Sequence, residues 1–362
     1  MQIREIETTV VSVPVRYPIR SAVRAADEVI NVLVEVLTDE GASGVAYVAG
    51  FTRGKAAAVV AMIGDFATVL QGTDATQIGA AWDRMWAAAT LSGHTGIAMF
   101  ALSAIDIALW DLQGELLHAP LHRLLGTRRT SVPAYASDGC WLHDDPSAVA
   151  DEAAGFAATG FDTVKLRFGR RDTARDLATL DAVRRAVGDG VRLYVDVNQG
   201  WGREQARHYG RKLADYQVGW LEEPLPAEDV AGLAALRAEL ATPITAGENA
   251  YGNDGIRALI EAGAVATLMP DLQRIGGVTG WLTVHALAEA WRVPITSHLF
   301  PEISVHLLAS SRMAGQLEWV TWALPLLEEP LVVRDGAVAV PDKPGLGIAF
   351  DRAAVARYRI AL

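Results

Sequence analysis

From residue 131 onward, short apolar runs recur in a steady rhythm: "SVPAYAS" (131), "TVKLRFG" (163), "RLYVDVN" (192), "VGWLEEP" (218), "PITAGE" (243), "ATLMPD" (266), "PITSH" (294) and "LEWV" (317). Between most of them lies an alanine-rich amphipathic segment of helical length, such as "DLATLDAVRRAVG" or "AGLAALRAEL". Parallel neighbours need a crossover long enough to hold a helix. Strands and helices alternating at intervals of roughly 25–30 residues therefore predict a parallel β/α barrel.

The part before the barrel has a different texture. Residues 1 to 50 alternate as strands, with a turn at "TDEGASG" (38–44), and residues 55 to 125 turn helical, as in "FALSAIDIALWDLQGELL" (100–117). At 362 residues the chain exceeds one ordinary core. The division expected is an α+β head over 1–126, a barrel over 127–325, and a segment over 326–362, too short for a domain, that packs back on the head.

Charge and composition exclude several classes of partner. The net charge of −11, from 43 acids and 32 bases, comes without a Lys/Arg cluster, which argues against nucleic acid. One cysteine, Cys140, rules out an internal disulfide and a cysteine-based zinc site. "MQIREIETTVVSVPV" has no apolar signal core and charges interrupt the apolar runs, so a cytoplasmic protein without a membrane partner is expected.

In a barrel of this kind the reactive groups sit at the carboxyl ends of the strands. The second strand offers Lys165 and Arg167 on one face, since strand side chains repeat with period 2. The third ends in Asp196 and Asn198, the fourth in Glu222 and Glu223, the fifth in Glu248 and Asn249, the sixth in Asp271, and the seventh in His298; the eighth carries Glu318. Asp196, Glu222 and Glu248 come from neighbouring strands and should converge, and three like charges require a cation. Oxygen ligands alone suit Mg²⁺, or less often Mn²⁺, rather than zinc. Acids also cap helices, but caps rarely fall on three adjacent strand ends at once.

His298 gains from Asp271 a partner that fixes its tautomer. The other seven histidines, His94 among them, have no such neighbour in the pattern and read as ordinary. A metal flanked by Lys165 and Arg167 on one side and His298 on the other suits abstraction of a proton α to a carboxylate, whose enolate demands dense positive charge. Glu318 contributes only if it is protonated and donates to the carboxylate oxygen.

"YVDVNQ", "WLEEP", "AGEN", "MPDLQRIGGVTGW" and "ITSHLFPEIS", followed by "LEW" and "PDKPGLGI", resemble in order the stretches of the enolase superfamily, and within it the mandelate racemase subgroup. The resemblance spans the chain. It implies a modified (β/α)8-type TIM barrel capped by the head and the C-terminal tail, with the "YPIRSAVRAADEV" loop (17–29) closing over substrate. It also implies Asp196, Glu222 and Glu248 as Mg²⁺ ligands, Lys165 at the metal-bound carboxylate, His298 and Asp271 as a dyad, and Glu318 as the electrophilic acid. A sister subgroup, resembling muconate-lactonising enzymes, has a lysine at the sixth strand end; Asp271 in that place favours the racemase and acid-sugar dehydratase side.

Arg167 departs from the subgroup, which commonly has a second basic lysine there. Arginine stays protonated and makes a clamp, not a base. One base suffices for elimination, so dehydration of a 2-hydroxy acid or acid sugar is the reading adopted. A racemase or epimerase of a 2-hydroxy acid is the alternative, with Leu299, Trp319 and Val320 as an apolar pocket. A non-catalytic metal-binding barrel is the second alternative, and it would show scattered losses among the strand-end groups. Arg20 and Arg24 in the capping loop, with Asn198, Leu299 and Trp319, are the expected substrate contacts, and a small-molecule carboxylate and a second copy of the chain the expected partners. "IGGVTG" (275–280) lacks the order of a nucleotide loop.

Overall fold

The computed structural model describes residues 1–143, 145–170 and 172–362. The head begins with an antiparallel sheet of β1 (Ile3–Arg20), β2 (Ala25–Thr38) and β3 (Ser43–Ala49), in the order β1-β2-β3. Pro14 and Pro18 fall in β1, an edge strand, where a missing N–H costs least; the register with β2 shifts between Pro14 and Ile19. The expected 17–29 loop is largely strand: β1 and β2 pair out to Arg20 and Ala25, leaving a tight tip at residues 21–24.

Helices α1 (Arg53–Leu70) and α3 (Ile97–Leu116) cover this sheet, and α2 (Ile78–Ala88) packs against both helices. By length and composition α3 could cross a membrane, but 83% of its most apolar window is buried inside the protein. It is the helix on which the head is built. At Gly44 the chain passes so close that a Cβ would stand 2.1 Å from the Ala108 carbonyl oxygen of α3. Its other side meets the barrel: Ser103 Oγ donates to the Gln273 carbonyl at 3.1 Å, and Trp110 Nε1 donates to Thr279 Oγ1 at 3.0 Å.

The barrel strands are β4 (Ser131–Ala136), β5 (Thr163–Arg167), β6 (Arg192–Asp196), β7 (Trp220–Glu222), β8 (Ile244–Ala246), β9 (Thr267–Leu268) and β10 (Leu317–Trp319). β4 to β9 follow one another in parallel, and β10 returns parallel to β4. The expected seventh strand is reduced to isolated bridges, Leu268 with Ile295, Asp271 with His298 and Ile295 with Ala314, which close the ring. Pro294 at its start removes one ladder donor.

Among the described residues no barrel helix follows β10. The chain makes a 3₁₀ turn at Leu324–Leu326 and then a hairpin of β11 (Val333–Arg334) and β12 (Ala337–Ala339), which adds antiparallel to β4. Beyond it Gly345 accepts from Leu121 N–H, and Ile360 N–H reaches the Val10 carbonyl of the head. The tail thus touches barrel and head in turn.

Parallel register fixes what faces inward. Lys165 pairs with Tyr194 and Arg167 with Asp196, while Tyr194 pairs with Trp220 and Asp196 with Glu222. With period 2, the lower inner layer is aromatic apart from Lys165, whose ammonium reaches Glu222 and Glu318 in the ionic layer above. Tyr135, Tyr194, Trp220 and Met269 form a separate buried cluster, with Tyr135 edge-on to both Tyr194 and Trp220. That cluster is a buried, mostly aromatic floor beneath the charged layer.

Candidate active site

The charged layer opens on a cavity of about 180 Å³ between barrel and head, lined by Lys165, Arg167, Asp196, Asn198, Glu248, His298 and Glu318 among others. Lys165 is 1% exposed. Its Nζ stands 2.8 Å from Glu222 Oε1, 2.7 Å from Glu318 Oε1 and 3.7 Å from Asp196 Oδ2. Burial alone would lower its affinity for the proton, but Glu222 and Glu318 more than reverse that and hold it raised. Of the three donors of an ammonium, two are engaged by Glu222 and Glu318, and the third has no hydrogen-bond partner among the described residues.

Arg167 lies alongside. Its Nη2 donates to Ser137 O at 3.1 Å and Ser137 Oγ at 3.0 Å, its Nε is 3.3 Å from Asp196 Oδ2, and its guanidinium carbon sits 4.2 Å from the centre of the Trp141 ring. The planar fork is therefore fixed on three sides, by a strand end, a carboxylate and an aromatic face.

Across the barrel, His298 Nδ1 and Asp271 Oδ2 are 2.6 Å apart, and His298 Nε2 is 3.4 Å from Glu248 Oε2. Asp271 is also the cap of the short helix after β9: its Oδ1 accepts from Arg274 N–H at 3.1 Å, and its Oδ2 stands 2.9 Å from Arg274 Nη1. With Nδ1–H directed at Asp271, Nε2 is the ring nitrogen left to exchange a proton with a ligand. Burial disfavours the imidazolium, but Glu248 and Asp271 outweigh it and raise the His298 pKa to about 9.

Six buried carboxylates, of Asp196, Glu222, Glu223, Glu248, Asp271 and Glu318, crowd this layer. Glu222 and Glu223 are both held far above the ordinary carboxylate range by burial, and then by Asp196 for Glu222 and by Glu248 for Glu223. Among the described residues no three acids or histidines are already closed around one point, because Lys165 and the amide of Asn249 hold several of these oxygens. The donor chemistry nevertheless fits a hard cation: oxygen only, from three adjacent strand ends, with negative charge in excess. Asn198 Oδ1 adds a buried acceptor without a partner, beside its Nδ2 bond to Asp196 Oδ2.

Two family models match this chain, a mandelate racemase/muconate lactonizing enzyme N-terminal domain over residues 5–126 and an enolase C-terminal domain-like unit over 148–354. The chain belongs to the enolase superfamily, in its mandelate racemase/muconate lactonizing enzyme family. It is 35% identical to the 3,6-anhydro-alpha-L-galactonate cycloisomerase of Streptomyces coelicolor over 88% of this chain and 89% of that one. To the L-talarate/galactarate dehydratase of Salmonella typhimurium it is 35% identical, over 89% and 81% of the two chains. The crystal structure of L-talarate dehydratase from Polaromonas sp. JS666, complexed with Mg and L-glucarate, superposes with a TM-score of 0.92 at 33% identity, covering 99% of this chain and 98% of that one.

Within this enolase-superfamily frame, three expectations need correction. Glu318 is not the protonated acid expected: burial favours the proton, yet Lys165 and His298 outweigh it and hold the carboxyl well below the ordinary range. Its oxygens accept from Lys165, from Ser137 Oγ at 2.6 Å and from Leu299 N–H at 2.7 Å, so it orients donors. Arg20 turns away from the cavity, donating to Asp27 and to the carbonyls of Ile19 and Ala26. Trp319 does not line the cavity; it follows the inward Glu318 in β10, so period 2 sends it outward into the core, while Val320 reaches the cavity as expected and Trp322 joins it. Arg24, Asn198 and Leu299 do line it.

Lining or positioning groups absent from the sequence reading include Ser137, Arg274, Phe51, Trp141 and Trp322. Ser137 follows Tyr135 by two residues and so shares its inward face, a readable signal. Arg274 lies three residues after Asp271, one helical turn on, also readable. Phe51 and Trp141 arrive on loops, and no local pattern marks them.

Proposed function

We propose that this protein is a Mg²⁺-dependent dehydratase of polyhydroxy acids. The observation that carries the reading is one base, the His298–Asp271 pair, facing a permanent cation, Arg167, across a layer of carboxylates. Asp196, Glu222 and Glu248 would hold Mg²⁺, which when bound supplies Lewis-acid charge to the substrate carboxylate as negative charge builds there. The named dehydratase relatives, one with Mg and L-glucarate bound, support both halves of the reading.

His298 Nε2, whose neutral form a cation held by Glu248 would favour by cancelling the charge that raises its pKa, removes the proton α to the carboxylate, while Asp271 holds Nδ1–H and stabilises the imidazolium. Lys165 directs its free N–H, and Arg167 its fixed charge, at the enolate. The imidazolium then returns the proton to the β-hydroxyl, the C–O bond breaks, water leaves, and the enol becomes a 2-keto-3-deoxy acid. Glu318 keeps Lys165 aimed. We further infer a cytoplasmic homo-oligomer acting on a free small acid, with 1–126 and 326–362 capping a 127–325 barrel.

A racemase or epimerase is the competing reading, favoured by the apolar lining of Leu299 and Val320. Incubating the Mg²⁺-loaded protein with a library of acid sugars and 2-hydroxy acids, with assays for 2-keto acid and for loss of optical purity, separates the two. Keto acid that disappears on chelation is the result expected. Loss of optical purity without keto acid would replace dehydration by racemisation.

A further inference from the structure

Facing the cavity from the side opposite Lys165 and Arg167 are two guanidiniums that nothing in the proposed reaction uses. Arg274 comes from the sixth strand end, across the barrel from the second, and Arg24 comes down from the tip of the β1–β2 ribbon. Phe51 sits between them, its ring centre 5.3 Å from the guanidinium carbon of Arg24 and 5.9 Å from that of Arg274. Phe100 backs Arg274 at 5.7 Å.

Neither cation is fully hydrogen-bonded among the described residues. Arg274 is 11% exposed and meets Asp271, yet its Nε and Nη1 lack an aligned hydrogen-bond partner. The half-buried Arg24 makes no ion pair among the described residues, and its Nη2 is shielded without a partner. Its near neighbour Arg20 behaves in the opposite way, spending its guanidinium on Asp27 and two carbonyls. A guanidinium withdrawn from water with donors unmet is unfavourable unless an anion completes it, and its planar fork matches a carboxylate.

We propose that Arg24 and Arg274, framing Phe51, form a second anion subsite that receives a distal carboxylate, so that the preferred substrate is a dicarboxylic sugar acid. This deepens the dehydratase reading and rests on it only for the fate of the near carboxylate. One carboxylate of the substrate goes to the Lys165 side, and the other goes to the arginines. A hydroxymethyl group in the distal place leaves the charges unmet, which is the basis of discrimination.

The test is calorimetric titration of the Mg²⁺-loaded protein with matched pairs that differ only at the distal carbon: galactarate and galactonate, glucarate and gluconate, mannarate and mannonate. In the best-bound pair the diacid should bind at least about tenfold more tightly, the worth of one charged hydrogen bond. Arg24→Met should bring that ratio close to one, and Arg24→Lys should restore part of it. Circular dichroism checks that the variants are folded. Equal binding of diacid and monoacid in every pair, no binding of either class, or an undiminished preference in Arg24→Met would overturn the subsite. A diacid that binds with this preference and is not converted to keto acid would instead refute the dehydration and leave the subsite standing.

Discussion

Asp271 has two jobs that one substitution series separates. Its Oδ2 meets both His298 Nδ1 and Arg274 Nη1, while its Oδ1 caps the backbone N–H of Arg274. All three neighbours are donors, so the amide of Asp271→Asn must turn its NH₂ toward one of them. Facing the cap, it loses a helix N-cap, a cost of about 1 kcal/mol. Facing His298, it forces Nδ1 to accept and puts the proton on Nε2, where it blocks the base. In either rotamer the charge that stabilises the imidazolium is gone. Losing a general base costs roughly 10²–10⁴ in rate, so turnover should fall by at least about 10²-fold while stability falls by only about 1 kcal/mol. Asp271→Ser sharpens the contrast: serine caps well but is too short to reach the imidazole, so stability should recover and turnover should not. Denaturant melts and keto-acid assays on both variants give the two numbers. An Asp271→Ser protein with near wild-type turnover would show that Asp271 matters only as a cap, and the dyad would be wrong.

Glu222→Gln removes a carboxylate bonded to Lys165 and Trp220 and should weaken Mg²⁺ binding strongly in a thermal-shift titration; unaltered Mg²⁺ affinity would take Glu222 out of the ligand set. Ser137→Ala deletes the hydroxyl bridging Arg167 and Glu318, and should cut turnover about tenfold through misplaced cations while the fold persists; turnover equal to wild type would make the bridge incidental. Asp106, buried where α3 meets Thr279, has its pKa raised from 3.8 to about 7 by burial, against the hydrogen bonds from Thr279. The folded state therefore holds a proton the unfolded state releases, and this contribution to stability is complete below pH 3.8 and lost as the pH rises through about 7. Unfolding midpoints at pH 5 and pH 8 should differ less in Asp106→Asn than in wild type, and an equal difference would assign the pH dependence elsewhere.

The barrel and its charged rim were legible in the sequence because both rest on strict periods. An apolar run every helix-plus-strand fixes the strands, and period 2 within a run decides which residue faces inward, as at Lys165, Arg167, Asp196 and Glu222. The failures have physical causes of the same kind. Trp319 sits beside the apolar pocket in sequence, but its neighbour Glu318 holds the inward face. The 17–29 segment reads as a loop because it is polar, but ribbon pairing with β2 makes it strand, and the tight tip then separates the fates of Arg20 and Arg24. Glu318's charge state was beyond the sequence, since it depends on how near Lys165 and His298 come through the fold. Phe51 and Trp141 were equally hidden, because loops bring them to the cavity from elements that carry no catalytic pattern.

In the proposed mechanism a single base acts from the His298 side while Arg167 serves as a fixed cation. The 3-deoxy analogue of an accepted acid, which lacks the β-hydroxyl and cannot eliminate water, isolates the proton transfer. Each epimer at the α-carbon is incubated with the Mg²⁺-loaded enzyme in D₂O, and loss of the α-proton is followed by NMR. One epimer should exchange with retention of configuration, and the other should keep its proton. Exchange of both epimers at comparable rates, with inversion, would mean that a second base works from the Arg167 face and that the protein is a racemase.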